Sequence, residues 1–227
     1  MSISTFRHSG KKIVAIGRNF GAHAKELGNA VPTSPFFFLK PTTSYLDDGG
    51  TVLIPKGVEA HFEVELGVVV GKEARDVKRA DAERHIGGYA LGIDMTARNL
   101  QDKAKKAGLP WSAAKGFDTF NPVSSLIEKS KIADPHNVRL WLAVNEAMKQ
   151  NGNTQDMIFD IPHLLEYISS IMTLEVGDLV LTGTPQGVGR VVAGDVITAG
   201  LGLPDSKEDL AKLKINVADR QGLFQVD

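Results

Sequence analysis

Apolar residues in this chain fall in short runs bounded by Gly, Pro and Asn rather than in long helical stripes. The runs KIVAIG, PFFFLK, TVLIP, VELGVVVG, GYALGID, LWLAV, DLVLTG and DVITAG have the length and β-branched content of strands between turns. Helical spacing appears only in pieces: a short turn over 20–27, a polar stretch over 96–107, and a segment over 160–172. In the last, Leu164, Leu165, Ile168 and Ile171 form one stripe. Asp160 is its predicted N-cap, with Pro162 in the first turn. The segment LGLPDSKEDLAK near the carboxyl end reads as a polar surface excursion with at most one helical turn. With no repeat and no Pro/Ser-rich linker, the pattern predicts a single domain over 1–227, mainly β with a few short helices, preceded by a short extension over 1–12.

The chain has 227 residues and a formal charge of −1, enough length for a full core and no basic excess. Such a balance argues against a nucleic-acid groove or an electrostatic membrane anchor, and leaves a small molecule as the expected partner. Cysteine is absent, which removes disulfides, thiolate nucleophiles and sulfur-ligated metals together. Any metal must then be held by oxygen or imidazole. No apolar run is long enough to span a bilayer, and the first twelve residues lack the apolar core of a secretion signal. The first acidic residue is Glu26, a mild bias of the kind found in mitochondrial presequences. Expected compartments are the cytoplasm or the mitochondrial matrix, not the secretory route.

Candidate chemistry centres on His61-Phe-Glu-Val-Glu-Leu-Gly-Val-Val69. In a strand the period of two sets His61, Glu63 and Glu65 on one face and Phe62, Val64 and Leu66 on the other, the two carboxylates about 7 Å apart at the backbone. Like charges so placed need solvent or a counter-charge, and a hard divalent cation supplies one. A solvent-facing strand edge kept soluble by charge fits the same pattern, and taken alone is the more ordinary explanation. Asp94, at the end of the run GYALGID, offers a third carboxylate; capping the following helix is its competing role, although Thr96 could take that over.

Nearer the amino end, His23 and Glu26 stand three apart on one helical face, where a carboxylate can orient an imidazole as a base or simply share an exposed surface with it. Arg18, Arg98, Lys40 and Lys115 are candidate clamps for a substrate carboxylate. The glycine-dense LTGTPQGVG lacks the Gly-Lys-Ser/Thr ending and following helix of a phosphate loop, but its turn could present the Thr184 hydroxyl or backbone N–H groups to a small anion.

Together GRNFGAHAKE, FFFLKPTTS, HFEVELGVVVGK, GYALGIDMTARNLQ, GLPWSAAKGFDTF and LTGTPQGVG, in that order, resemble the fumarylacetoacetate hydrolase family, and within it the small acylpyruvase and oxaloacetate decarboxylase-like members. The resemblance implies an α+β, mainly β fold: a mixed β-sandwich or roll in one catalytic domain, assembled as a homodimer. It implies Mg2+ or Mn2+ bound by Glu63, Glu65 and Asp94, a catalytic dyad of His23 and Glu26 on a lid, and a catalytic Lys115. Substrate contacts are implied for Arg98, Gln101, Lys115 and Thr184, with Lys40 a weaker match; Arg18 joins them as a carboxylate clamp.

The implied reaction is metal-dependent C–C cleavage in a small 2-oxo or 2,4-dioxo acid, by acylpyruvate hydrolysis, oxaloacetate decarboxylation or both. Oxaloacetate tautomerisation, a hydroxymuconate-type isomerisation and a non-catalytic binding role on the same scaffold are the alternatives. Two departures stand out. Close relatives often have His-His where this chain has His61-Phe62. Larger members draw a further carboxylate ligand from an upstream segment, whereas FFFLKP here contains none, so three protein ligands are expected.

Overall fold

The computed structural model describes residues 3–26, 28 and 30–226. Met1, Ser2, Leu27, Asn29 and Asp227 lie outside the described residues, and with them the first two residues of the expected extension and the last residue of the 20–27 turn. In chain order the strands are β1 (Ile13–Ile16), β2 (Phe37–Lys40), β3 (Tyr45–Leu46), β4 (Thr51–Ile54), β5 (Ala60–Phe62), β6 (Val64–Val70), β7 (Ile86–Ile93) and β8 (Thr96–Ala97). They continue with β9 (Asn121–Pro122), β10 (Ile127–Glu128), β11 (Arg139–Val144), β12 (Ala147–Asn153), β13 (Leu179–Leu181), β14 (Gly189–Val191), β15 (Val196–Gly202) and β16 (Asp209–Asp219). The α-helices are α1 (Phe6–Ser9), α2 (Gly21–Glu26), α3 (Arg98–Ala107), α4 (Ser112–Lys115) and α5 (Ile161–Ser169).

Each of the apolar runs named above contains a strand. Six of these elements form a sheet in the order β10-β7-β6-β13-β1-β2, and a second sheet runs β12-β11-β15-β16-β4. β11 packs across β6 and β16 across β7, so the two sheets lie face to face with helices at the margins. Neither sheet closes on itself among the described residues. β6 explains the layering: Val64, Leu66, Val68 and Val70 enter the core between the sheets, while Val69 on the opposite face joins Phe6, Ile13, Leu179 and Leu181 in a second cluster. Every residue of β6 is buried, as expected for a strand covered on both faces. Phe6, on α1 ahead of β1, is fully buried in that second cluster.

Asp160 caps α5, its carboxylate accepting from the His163 N–H at 2.9 Å, and Leu164, Leu165 and Ile168 pack inward. Ile171 departs from the expected stripe: the helix stops at Ser169 and the next turn leaves Ile171 56% exposed. The polar excursion near the carboxyl end is also shorter than expected. Asp209 to Lys212 already belong to β16, paired with Gly200 to Gly202 of β15, and no helical turn forms there.

The strand ends define one edge of the six-stranded sheet. β1 and β13 run parallel, β6 runs antiparallel to β13, and β7 antiparallel to β6. The carboxyl ends of β1, β7 and β13 therefore meet the amino end of β6 on the same side.

Candidate metal centre

Glu63, Glu65 and Asp94 converge at that edge, with one carboxylate oxygen from each lying within 4.8 Å of the others. Their exposures are 6%, 2% and 1%, which overturns the solvent-facing explanation of the acidic strand: β6 is flanked by β7 and β13. The expected uninterrupted strand over 61–69 is also corrected. The chain turns at Glu63, leaving β5 in a small sheet with β8 and β14 while β6 enters the large one. His61 consequently pairs with Thr96 and Arg190 and stays out of the cavity lining. Phe62, Val64 and Leu66 keep their inward face, so Glu65 emerges opposite the main core. Asp94 follows β7 directly, and its N–H donates to the Glu63 carbonyl at 2.8 Å, which fixes the third carboxylate beside the first.

Three carboxylates this close repel strongly: at 4.8 Å and an effective dielectric of about 20, each charged pair opposes folding by about 3.5 kcal/mol. Cations crowd in response. The Lys115 ammonium lies 2.5 Å from Asp94 Oδ2, 3.0 Å from Glu63 Oε2 and 2.6 Å from Thr96 Oγ1. Lys40 donates to Asp94 Oδ1 at 2.6 Å and to the Met95 carbonyl at 3.2 Å. Arg98 pairs with Glu63 and donates to Gln101 Oε1 at 2.5 Å. Burial pushes the Glu63 carboxyl up, but Lys115 and Arg98 outweigh it and hold the group well below the ordinary range. Burial likewise lowers Lys115, yet Asp94 and Glu63 raise it further.

Glu65 is placed differently. It accepts one backbone N–H, from Gly183 at 2.7 Å, while burial and then the charges of Asp94 and Glu63 push its carboxyl well above the usual value. An all-oxygen, buried and mutually repelling donor set with one carboxylate facing two others fits a hard divalent cation such as Mg2+ or Mn2+. Thr96 does not cap α3, whose N-cap is Ala97; its hydroxyl serves Lys115 instead. Asp94 is no cap either, because its oxygens are taken by Lys40 and Lys115.

Beside the carboxylates lies a cavity of about 40 Å³ whose wall includes Arg18, His23, Arg98, Gln101, Lys115 and Thr184. That volume is room for a few water molecules. α2 brings His23, 5% exposed, over the cavity; Glu26 Oε2 lies 3.5 Å from His23 Nδ1 and its carboxylate accepts from the Gly187 N–H at 3.1 Å. Burial lowers the His23 imidazole below its ordinary value despite the opposing pull of Glu63 and Glu26. Arg18 adopts φ 56° and stacks its guanidinium 5.5 Å from the Phe36 ring, with no ion-pair partner among the described residues. Of the sequence-derived candidates, Arg18, His23, Glu63, Glu65, Arg98, Gln101, Lys115 and Thr184 line this cavity, whereas Glu26, Asp94 and Lys40 lie behind it, in contact with His23, Lys115 and Asp94 respectively. The buried contacts of Lys40 exceed what its sequence match implied, and Gln150, which binds Thr184 from β12, was not anticipated at all because it lies in the polar run AMKQNGN.

Comparison with known proteins agrees with this geometry. Residues 12–218 match the family model for the fumarylacetoacetate hydrolase C-terminal domain. The chain is 56% identical over 205 residues to the mitochondrial oxaloacetate tautomerase FAHD1 of Arabidopsis thaliana, covering 89% of this chain and 92% of that protein. It is 55% identical over 201 residues to the mitochondrial oxaloacetate decarboxylase of Dictyostelium discoideum, covering 88% and 92%. The crystal structure of fumarylpyruvate hydrolase from Pseudomonas aeruginosa, in complex with Mn2+ and pyruvate, superposes with a TM-score of 0.84 at 32% identity, covering 93% of this chain and 91% of that one. In sequence and fold alike, this chain belongs to the fumarylacetoacetate hydrolase family.

Proposed function

We propose that the chain is a divalent-metal-dependent enzyme that breaks the bond beside the ketone of a small 2-oxo acid, by decarboxylating oxaloacetate, hydrolysing an acylpyruvate, or both. The observation that carries this reading is the buried convergence of Glu63, Glu65 and Asp94 beside a cavity lined by cations. Those three residues would hold Mg2+ or Mn2+, which supplies a Lewis acid for negative charge developing at the ketone oxygen. Arg98 and Gln101, joined to each other on the first turn of α3, present donors to the substrate's 2-oxo carboxylate. Lys115 adds a fixed positive charge there, and Thr184 also lines the cavity. Closing α2 excludes water and brings His23 to the reacting carbons as a neutral proton acceptor.

A second reading, keto–enol tautomerisation of oxaloacetate, is favoured by the activity named for the Arabidopsis relative. It needs the same polarised ketone and uses His23 to carry the proton. Proton NMR separates the reactions: pyruvate with loss of CO2, pyruvate with acetate from acetylpyruvate, or enol–keto exchange with the carbon skeleton intact. Calorimetry with Mn2+ tests the shared premise. Failure to bind millimolar metal, with or without oxalate as a planar mimic of pyruvate enolate, would overturn the enzymatic reading in favour of a binding role.

Arg18 is assigned the distal carboxylate of a diacid, since it is a cavity-lining cation with no anion of its own among the described residues. Arg18→Ala is expected to raise KM for oxaloacetate by about 10-fold to 100-fold, the worth of a charge-assisted hydrogen bond pair. KM for acetylpyruvate, which lacks that group, should move by less than about threefold. Steady-state kinetics on the two substrates checks this, and equal changes would remove Arg18 from diacid selection. A homodimer belongs to the same reading, with β2 an edge strand that carries the exposed Leu39 beside the exposed Leu109. The relatives' mitochondrial labels favour the mitochondrial matrix over the cytoplasm as its compartment.

A further inference from the structure

β12 is an edge strand with polar, mostly exposed side chains, yet Gln150 at its centre is fully buried. Burying a carboxamide opposes folding unless its hydrogen bonds are replaced. Here they are. Gln150 Oε1 accepts from the Val64 N–H at 3.0 Å, and Nε2 donates to Thr184 Oγ1 and to the Pro185 carbonyl, both at 2.8 Å. An N–H on one side and two acceptors on the other leave one orientation of the amide.

Both ends of this bridge touch functional groups. Val64 separates Glu63 from Glu65, and its carbonyl accepts from the Thr184 hydroxyl at 2.7 Å. The turn that begins at Thr182 gives the Gly183 N–H to Glu65 and the Gly187 N–H to Glu26 on the lid helix. β12 moulds this turn closely: a Cβ on Gly187 would lie 2.1 Å from the Lys149 carbonyl oxygen, and one on Gly152 would lie 2.5 Å from the Pro185 ring. Gly187 also holds φ 96°, a conformation that larger residues resist.

We propose that Gln150 is a positioning residue that never meets substrate: it fixes the Gly183–Gly187 turn in the placement from which one N–H meets Glu65 and another meets Glu26. It thereby ties the geometry of the ligand carboxylates to the seating of α2. The metal half of this inference rests on the function proposed above; the lid half does not.

The test is Gln150→Met, near-isosteric but unable to make any of the three bonds, in the full chain. Manganese affinity is measured by electron paramagnetic resonance of free Mn2+, and lid seating by amide hydrogen exchange of α2 in metal-free protein, read at Ala24, whose N–H donates to the Phe20 carbonyl. We expect Mn2+ binding weakened by about 10-fold to 100-fold, the usual effect of losing a group that orients a ligand. Exchange in α2 should quicken by about tenfold or more while β6 keeps its protection. A lower Tm with Mn2+ affinity and α2 exchange both within about twofold of the parent would reduce Gln150 to a structural role. A change in one readout without the other would deny the tie. If Gln150→Met does not fold, Gln150→Asn, an amide one methylene short of its partners, is judged by the same two measurements. A parent protein that binds no Mn2+ would sink the metal function, and the exchange data alone would then decide whether Gln150 seats the lid.

Discussion

Glu65→Gln is expected to raise the thermal midpoint of the metal-free protein and to abolish the further rise that Mn2+ produces in the parent. Glu65 is 2% exposed, faces Asp94 and Glu63, and accepts a single backbone N–H. Burial and those two neighbours lift its folded pKa above the unfolded value. The folded state therefore holds the proton more tightly than the unfolded chain. Stability is fully present below the unfolded pKa, about 4.3, and falls as pH rises from there. At pH 8, where the unfolded carboxylate is ionised, Glu65 thus opposes folding in whichever form the folded state keeps it, and an uncharged amide that still accepts from Gly183 relieves it.

Metal reverses the balance. In the parent, Mn2+ at about 100 times its dissociation constant adds about 2.7 kcal/mol, which for a chain of this size is about 5–10 °C. The variant has lost a ligand, and we expect its affinity to fall by at least about 100-fold and turnover with it. Scanning calorimetry at pH 5 and pH 8, with metal and with chelator, reads all of this. A metal-free midpoint that falls, or a gain from Glu65→Gln no larger at pH 8 than at pH 5, would show that the Glu65 carboxylate is not the burden. A metal-induced rise that survives in Glu65→Gln would place the ion elsewhere.

The fold was legible where burial was two-sided. β6 and β7 are covered on both faces, so Val64–Val70 and Ile86–Ile93 read as near-continuous apolar runs. β12 was not legible, because an edge strand with one inward residue has no apolar period to detect. β16 falls outside the eight apolar runs for a related reason: Asp209 to Lys212 are not buried, and only Leu213, Ile215 and Val217 face the core. Ile171 shows the reverse error, an apolar residue in register with a helix that had already ended.

The site was legible in its charges and illegible in its supports. Glu63, Glu65 and Asp94 could be named because two acids at a strand period and a third at a strand end raise the question of a counter-charge; the spacing alone left a solvent-facing edge the more ordinary answer, and the family resemblance turned it toward a metal. That Glu63 sits at a corner between two sheets was hidden, since strand alternation on either side of a break looks like one strand. Lys40 follows three phenylalanines and a leucine and reads as a strand's polar exit, whereas its ammonium is buried on Asp94. Gln150 lies more than eighty residues from Val64 in sequence, and one amide among polar neighbours carries no signal of where it will be buried.

His23→Ala should divide the two cleavage reactions. Acylpyruvate hydrolysis requires a proton to leave water as its oxygen bonds to the distal carbonyl carbon, and a placed base contributes about 10²–10⁴ to such a step. His23 can be that base at neutral pH, because burial keeps it unprotonated in spite of Glu63 and Glu26. With Nδ1–H directed at Glu26, the tautomer that the 3.5 Å approach favours, Nε2 is left to accept the proton.

Oxaloacetate loses CO2 by moving a C–C electron pair toward the ketone oxygen, and no water attacks. The proton that later reaches carbon can come from solvent, so removal of His23 should lower this kcat by about tenfold at most, the part owed to a looser lid. Acetylpyruvate kcat should fall by about 100-fold or more. Its acidic limb should also vanish, since protonation of His23 on descent through its lowered pKa, below 6.5, is what silences the base in the parent. Parallel pH profiles on both substrates decide the matter. If the two kcat values fall together and the acidic limb persists, His23 serves to seat α2 over the cavity, and the proton from water must be taken by another group.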